Sequence, residues 1–106
     1  MNNVFKALSD PTRRKVLELL RKRPMSAGEL GEHFPVSKPT MSAHYAVLRE
    51  ADLIDGTKSG TTITYRIKLS VLEEALLGFS KALGIGVSKD SKAEESARTV
   101  RKGKKS

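Results

Sequence analysis

Cysteine and tryptophan are both absent from this chain, and three Phe and two Tyr are its only aromatic residues. Without cysteine there can be no disulfide, no thiol redox switch, no thiolate metal site and no cysteine nucleophile. Long apolar runs are missing too. None reaches the ~18 residues that mark a membrane-spanning helix, and the opening Met1-Asn2-Asn3-Val4-Phe5 is no signal peptide. The expected location is therefore the cytoplasm, with no membrane partner. Catalytic patterns are lacking as well: there is no Gly-rich phosphate loop, no Ser-His-Asp spacing and no carboxylate pair in an apolar setting. No enzyme activity and no cofactor are expected.

What the chain has is positive charge. Its 20 Lys and Arg against 12 Asp and Glu leave a net charge of +8 over 106 residues, a balance that favours an anionic partner. Residues 88–106 hold seven Lys or Arg and three acids, so half of the excess lies in that stretch. Its one large aliphatic residue is Val100, too little apolar surface to fold alone. The expected organisation is a domain over residues 1–84 and a basic, flexible tail over 85–106.

The most informative stretch is Ser26 to Leu53. Ser26 and Glu29 have capping-box spacing and open a helix expected to run to about His33, with Pro35 as the stop. Ser37 is the next N-cap, and Pro39 fits a first helical turn, so a second helix is expected from Lys38 to about Ala51. Met41, Tyr45 and Leu48 form its apolar stripe. At about 100° per residue, Pro39, Ser42, Ala43 and Ala46 fall on the opposite face, flanked by Thr40 and Val47. That face is small and uncharged, whereas a solvated helix face normally carries Glu and Lys. Short side chains without carboxylates suit a helix lying in the major groove, whose walls are phosphates. Taken alone, the stretch fits a helix-turn-helix and an ordinary αα-corner equally well.

The segments around it favour the first. Upstream, Asn2 to Leu8 reads as a short helix, and Asp10 with Pro11 starts another that runs to about Lys22, with Val16, Leu17 and Leu20 inward. Downstream, residues 53–58 and 61–67 read as two strands joined at Ser59-Gly60, with Ile63, Tyr65 and Ile67 on one face and Thr62, Thr64 and Arg66 on the other. A hairpin in this position is the wing of a winged helix. Ser70 and Glu73 have the spacing of a further capping box, opening a last helix to about Leu83. The fold class is mainly α with a small β-hairpin. Val4, Phe5, Leu8, Leu76, Leu77 and Phe79 could form a two-fold dimer interface or complete the core; two half-sites favour the dimer.

The strings Leu8-Ser9-Asp10-Pro11-Thr12-Arg13-Arg14, Ser37-Lys38-Pro39-Thr40-Met41-Ser42-Ala43-His44-Tyr45 and Leu48-Arg49-Glu50-Ala51-Asp52-Leu53-Ile54 resemble the ArsR/SmtB family of bacterial winged-helix repressors. The resemblance covers about residues 2–83 and is strongest to small autorepressors that lack metal-binding cysteines. It implies a homodimer that pairs through its first and last helices and binds double-stranded DNA at an inverted-repeat operator, repressing transcription. It places DNA contacts at Lys38, Pro39, Thr40, Ser42, Ala43 and His44, and at the wing tip on Lys58, Thr61 and Thr62. The metal and persulfide sites of the family do not carry over, since they need cysteines, or Asp and His on a last helix that has no His. For His44, a DNA contact, structural packing and a metal ligand all stay open. Arg13 and Arg14 are open to phosphate contact or to pairing with nearby acids. Two other functions remain possible at this level: a metal- or ligand-responsive sensor with an unrecognised site, controlled by a small molecule or a protein, and a winged-helix protein-interaction module.

Overall fold

The computed structural model describes residues 2–86. The basic tail expected over 85–106 therefore lies, from residue 87 on, outside the described residues. The described residues fall into two units, one ending at Ala75 and the other beginning at Leu76.

In chain order the elements are α1 (Asn2–Leu8), α2 (Pro11–Lys22), β1 (Met25–Ser26), α3 (Ala27–Gly31), α4 (Lys38–Glu50), β2 (Ile54–Ser59), β3 (Thr62–Ile67) and α5 (Leu69–Ala82). The expected two-stranded hairpin is thus a three-stranded antiparallel sheet in the order β1-β3-β2. Met25 pairs with Tyr65 and Ser26 with Thr64, so two residues after Pro24 supply the third strand. This pairing gives the wing the support that an isolated hairpin lacks.

The first unit is held by one core. Val16, Leu17, Leu19 and Leu20 come from α2, Leu30 from α3, and Met41, Tyr45 and Leu48 from α4. Leu53, Ile54 and Tyr65 close it from the sheet side, with Val4 and Ala7 from α1. Leu30, Leu48 and Leu53 are fully buried, where truncation to Ala costs about 2–5 kcal/mol.

Local geometry refines several boundaries. The helix expected to reach His33 ends at Gly31, because the next N–H groups turn back three residues: His33 N to Leu30 O at 3.0 Å and Phe34 N to Gly31 O at 3.1 Å. At the far end of α4, Asp52 adopts φ +61°. Asp52 N donates to Arg49 O at 2.9 Å and Leu53 N to Leu48 O at 3.0 Å, the two bonds of a Schellman motif. The hairpin loop is Gly60-Thr61, one residue later than expected, since Ser59 pairs with Thr62. Gly60 has φ +61° and Thr61 does not, the signature of a II′ turn with glycine first. The last helix begins at Leu69, so Ser70 is its second residue rather than the residue before it. Its entry is set from outside: Lys68 N donates to Leu53 O at 2.7 Å, and Lys68 Nζ meets Asp52 Oδ1 at 2.6 Å. The Asp52 hydrogen bond raises the Lys68 ammonium above the usual lysine range.

The second unit opens with the C-terminal part of α5. Gly84, at φ +72°, closes that helix, with Ile85 N donating to Ser80 O at 2.9 Å. The buried Ser80 hydroxyl donates to Ile85 O at 2.7 Å. Leu76, Phe79, Leu83 and Ile85 are all exposed.

Candidate nucleic-acid interface

The two helices of the motif are both capped by side chains. Glu29 N donates to Ser26 Oγ at 3.0 Å, and Ser26 N donates to Glu29 Oε1 at 2.9 Å, completing the capping box. That backbone bond, followed by Arg23 Nη2 at 3.3 Å, holds the Glu29 carboxyl below the usual range. At the start of α4, Thr40 N donates to Ser37 Oγ at 3.3 Å, and the Ser37 hydroxyl donates to Thr40 Oγ1 at 3.0 Å. A helix started this way leaves the positive end of its dipole at Lys38, beside an exposed ammonium-bearing side chain.

The division of α4 into two faces is clear. Met41, Tyr45 and Leu48 are buried, while Lys38, Pro39, Thr40, Ser42 and Ala43 are exposed, and Ala46 and Val47 are half-buried. No acidic residue occurs in α4 before Glu50, its final residue. The back of the helix is fastened to the wing: the Tyr45 and Tyr65 ring centroids are 4.8 Å apart, and the Tyr45 hydroxyl donates to Ala27 O at 3.3 Å. Burial, with a smaller contribution from Tyr65, pushes the Tyr45 phenol up to about 12. Gly56 pairs with Tyr65 across the sheet, and a Cβ there would come within 3.0 Å of the Tyr65 ring. A side chain at 56 would press on the same ring that packs against Tyr45.

At the tip of the wing, Lys58, Thr61 and Thr62 are exposed around Gly60. Arg66, on the wet strand face, donates to Thr57 Oγ1 at 3.4 Å.

His44 stands apart from its exposed neighbours. Its side chain is only 16 % exposed, and its Nδ1 lies 3.1 Å from Arg13 Nη1. Arg13 also donates through Nε to Ala7 O at 2.8 Å and through Nη2 to Lys6 O at 2.9 Å, while Arg14 Nη1 donates to Leu8 O at 2.7 Å. Both arginines are engaged within the first unit. They bind the carbonyls that the end of α1 leaves without helical partners. Asp10 caps α2 by accepting from Thr12 N at 2.8 Å and Arg13 N at 3.1 Å, and it lies 3.9 Å from His44 Nε2. Partial burial acts to raise the Asp10 pKa, but the backbone N–H groups of Arg13 and Thr12, with the nearby charge of Arg13, bring it below the ordinary value.

Of the residues considered for a dimer interface, Val4 is 6 % exposed and belongs to the first unit's core. That is the core role left open for it. Phe5, Leu8 and Leu77 are half-buried, and Leu76 and Phe79 are exposed. Among the described residues no three of His, Asp and Glu gather as a metal site. No described helix is long and apolar enough to cross a membrane.

A family model described as a helix-turn-helix domain matches residues 8–57. Transcriptional repressor SdpR of Bacillus subtilis is 47% identical over 76 residues, which is 72% of this chain and 84% of that protein. The crystal structure of an ArsR family transcriptional regulator superposes with a TM-score of 0.70 at 31% identity, covering 82% of this chain and 92% of the other. A homodimeric winged helix-turn-helix DNA-binding domain from Mycobacterium bovis shares the fold, with a TM-score of 0.64 at 22% identity over 95% of this chain and 84% of that one. With that identity spread over most of a named repressor, the chain belongs to the ArsR family of winged helix-turn-helix transcriptional repressors.

Proposed function

We propose that this chain acts in the cytoplasm as a homodimer that binds an inverted-repeat operator and represses transcription, its own gene included. The observation that carries the reading is the outward face of α4. Pro39, Thr40, Ser42 and Ala43 are exposed, short and uncharged, and the buried stripe of Met41, Tyr45 and Leu48 holds that face outward. Ser42 and Ala43 approach base edges in the major groove, where a hydroxyl and a methyl make close contacts with little entropy loss. Lys38 and the N–H groups of the first turn hold phosphate. Lys58 brings the wing tip to the neighbouring backbone, with Thr61 and Thr62 as neutral hydrogen-bonding groups beside it.

Two subunits supply two such helices, and the spacing of the half-sites follows from the two-fold. The apolar surface of Leu76 and Phe79, with Leu77 beside them, supports pairing through α5; Phe5 and Leu8 are the separate candidates on α1. The Mycobacterium bovis domain that shares this fold is itself homodimeric.

Fluorescence anisotropy on the duplex upstream of the chain's own gene, against a scrambled duplex, tests this reading. The repressor requires a preference of roughly a thousandfold or more at physiological salt, with two subunits per site. Equal, steeply salt-dependent binding to both duplexes would show that only charge is being read.

A further inference from the structure

One side chain joins three parts of the first unit. The guanidinium of Arg13 uses Nε on Ala7 O, Nη2 on Lys6 O and Nη1 on His44 Nδ1, at 2.8, 2.9 and 3.1 Å. It therefore ties the end of α1, through α2, to the middle of α4. A guanidinium has only donors, so its bond to His44 requires Nδ1 to accept. That fixes the ring as the neutral tautomer with its proton on Nε2, on the side of Asp10 Oδ2, 3.9 Å away.

We infer that Arg13 and His44 are positioning residues for the DNA-reading helix, and that protonation of His44 releases α4 from this link and weakens specific DNA binding. The inference rests on the proposed reading face and removes His44 from the set of groups that touch DNA. The chemistry is direct. An imidazolium is a donor at both nitrogens, so a proton on Nδ1 would face the Arg13 N–H groups and their positive charge at hydrogen-bond distance. Arg13 from α2 and Asp10 from the loop before it both face the ring, and Asp10 Oδ2, 3.9 Å from Nε2, lies beyond hydrogen-bond distance. Arg13 would then keep its two carbonyl bonds to α1 while α4 loses its third-party anchor. Lysine could not substitute, since it lacks the planar fork that serves three acceptors at once.

A direct His44–phosphate contact makes the opposite prediction. An imidazolium touching phosphate would strengthen binding on acidification, whereas the link weakens it.

The test has two arms. The first needs no DNA: long-range 15N correlation of the imidazole rings at neutral pH. The link requires the Nε2–H tautomer for His44 and its loss in Arg13→Lys; the Nδ1–H tautomer in the wild-type chain overturns it. The second arm measures anisotropy on a duplex enriched from a random pool, with a scrambled control. Specific affinity should fall about tenfold on acidification from about pH 7.5 to about pH 5.5. His44→Asn keeps an acceptor near the Nδ1 position and cannot be protonated, so its affinity should stay level across that range. A wild-type affinity that is level or rises on acidification, or a His44→Asn profile that falls in parallel with wild type, overturns the inference. In Arg13→Lys the preference for the selected duplex should drop while the salt dependence on the scrambled duplex is unchanged. A salt slope lower by about one with preference intact would make Arg13 a phosphate ligand instead. Absence of any selected sequence would count against the repressor reading, and the tautomer would still decide the link.

Discussion

Tyr65, the residue at the centre of the three-stranded sheet, sets its ring 4.8 Å from that of Tyr45 on the back of α4. The wing and the reading helix are thereby fixed to each other through one aromatic pair. Because burial holds the Tyr45 phenol up to about 12, its neutral form is favoured in the folded state over the unfolded one, where a tyrosine titrates near ~10. The stability this gives is fully present below the unfolded value and is lost as pH rises through the folded one. Spectrophotometric titration should show one tyrosine ionising with the alkaline unfolding transition, and that late component should disappear in Tyr45→Phe.

Gly56 lies against the Tyr65 ring of this pair. In Gly56→Ala the new methyl meets Tyr65 at 3.0 Å, and overpacking of this kind costs about 1–3 kcal/mol. At Gly60 the added Cβ meets nothing within 4 Å, but φ is +61°. There Gly60→Ala should cost about 1 kcal/mol, the price of left-handed backbone for an L-residue. Urea unfolding separates them further: only the first substitution should change the near-ultraviolet tyrosine signal of the folded protein.

Asp10 makes the first unit sensitive to acid. Its folded pKa lies below the ordinary aspartate value, so the stability it gives is present above that value and is lost as pH falls through the folded one. Asp10→Asn should flatten the stability profile below about pH 4, read by the urea midpoint at successive pH values. An unchanged acid limb in that variant would mean the cap contributes nothing to it.

Much of this architecture is legible in residue order because its causes are local. Ser26 with Glu29 and Ser37 with Pro39 announce the two helices of the motif, and the spacing of Met41, Tyr45 and Leu48 announces which face of the second is buried. What residue order hides is decided across the chain. Met25-Ser26 has no strand pattern of its own, and its pairing exists because Tyr65 and Thr64 lie beside it. Ser70 and Glu73 have capping-box spacing, yet the helix starts two residues earlier, at Leu69, because Lys68 is held by Leu53 and Asp52. The arginines after Pro11 are open in residue order to phosphate contact or acid pairing, and their bonds to the carbonyls at the end of α1 exist only once the chain folds. His44 is ambiguous for the same reason: a helical wheel places it between two faces, and only the position of Arg13 turns it inward.

The α5 surface gives a prediction about assembly. Leu76 is 45 % exposed on that helix, and placing a charge there should block pairing without disturbing the first unit's core. Leu76→Glu should sediment as a monomer and lose at least about a hundredfold in specific affinity, since one half-site carries only part of the binding free energy. A variant that remains dimeric would place the interface elsewhere.

The central claim is that the exposed face of α4 reads DNA, and Ser42→Glu tests it most directly. The substitution puts a carboxylate where phosphates and base edges are expected, at an exposed helical position where stability should change by no more than about 0.5 kcal/mol. Anisotropy on the chain's own upstream duplex, alongside urea unfolding of the same sample, should show specific binding abolished and the unfolding midpoint preserved. If Ser42→Glu binds that duplex as tightly as the wild-type chain, α4 does not read DNA through this face and the account is wrong.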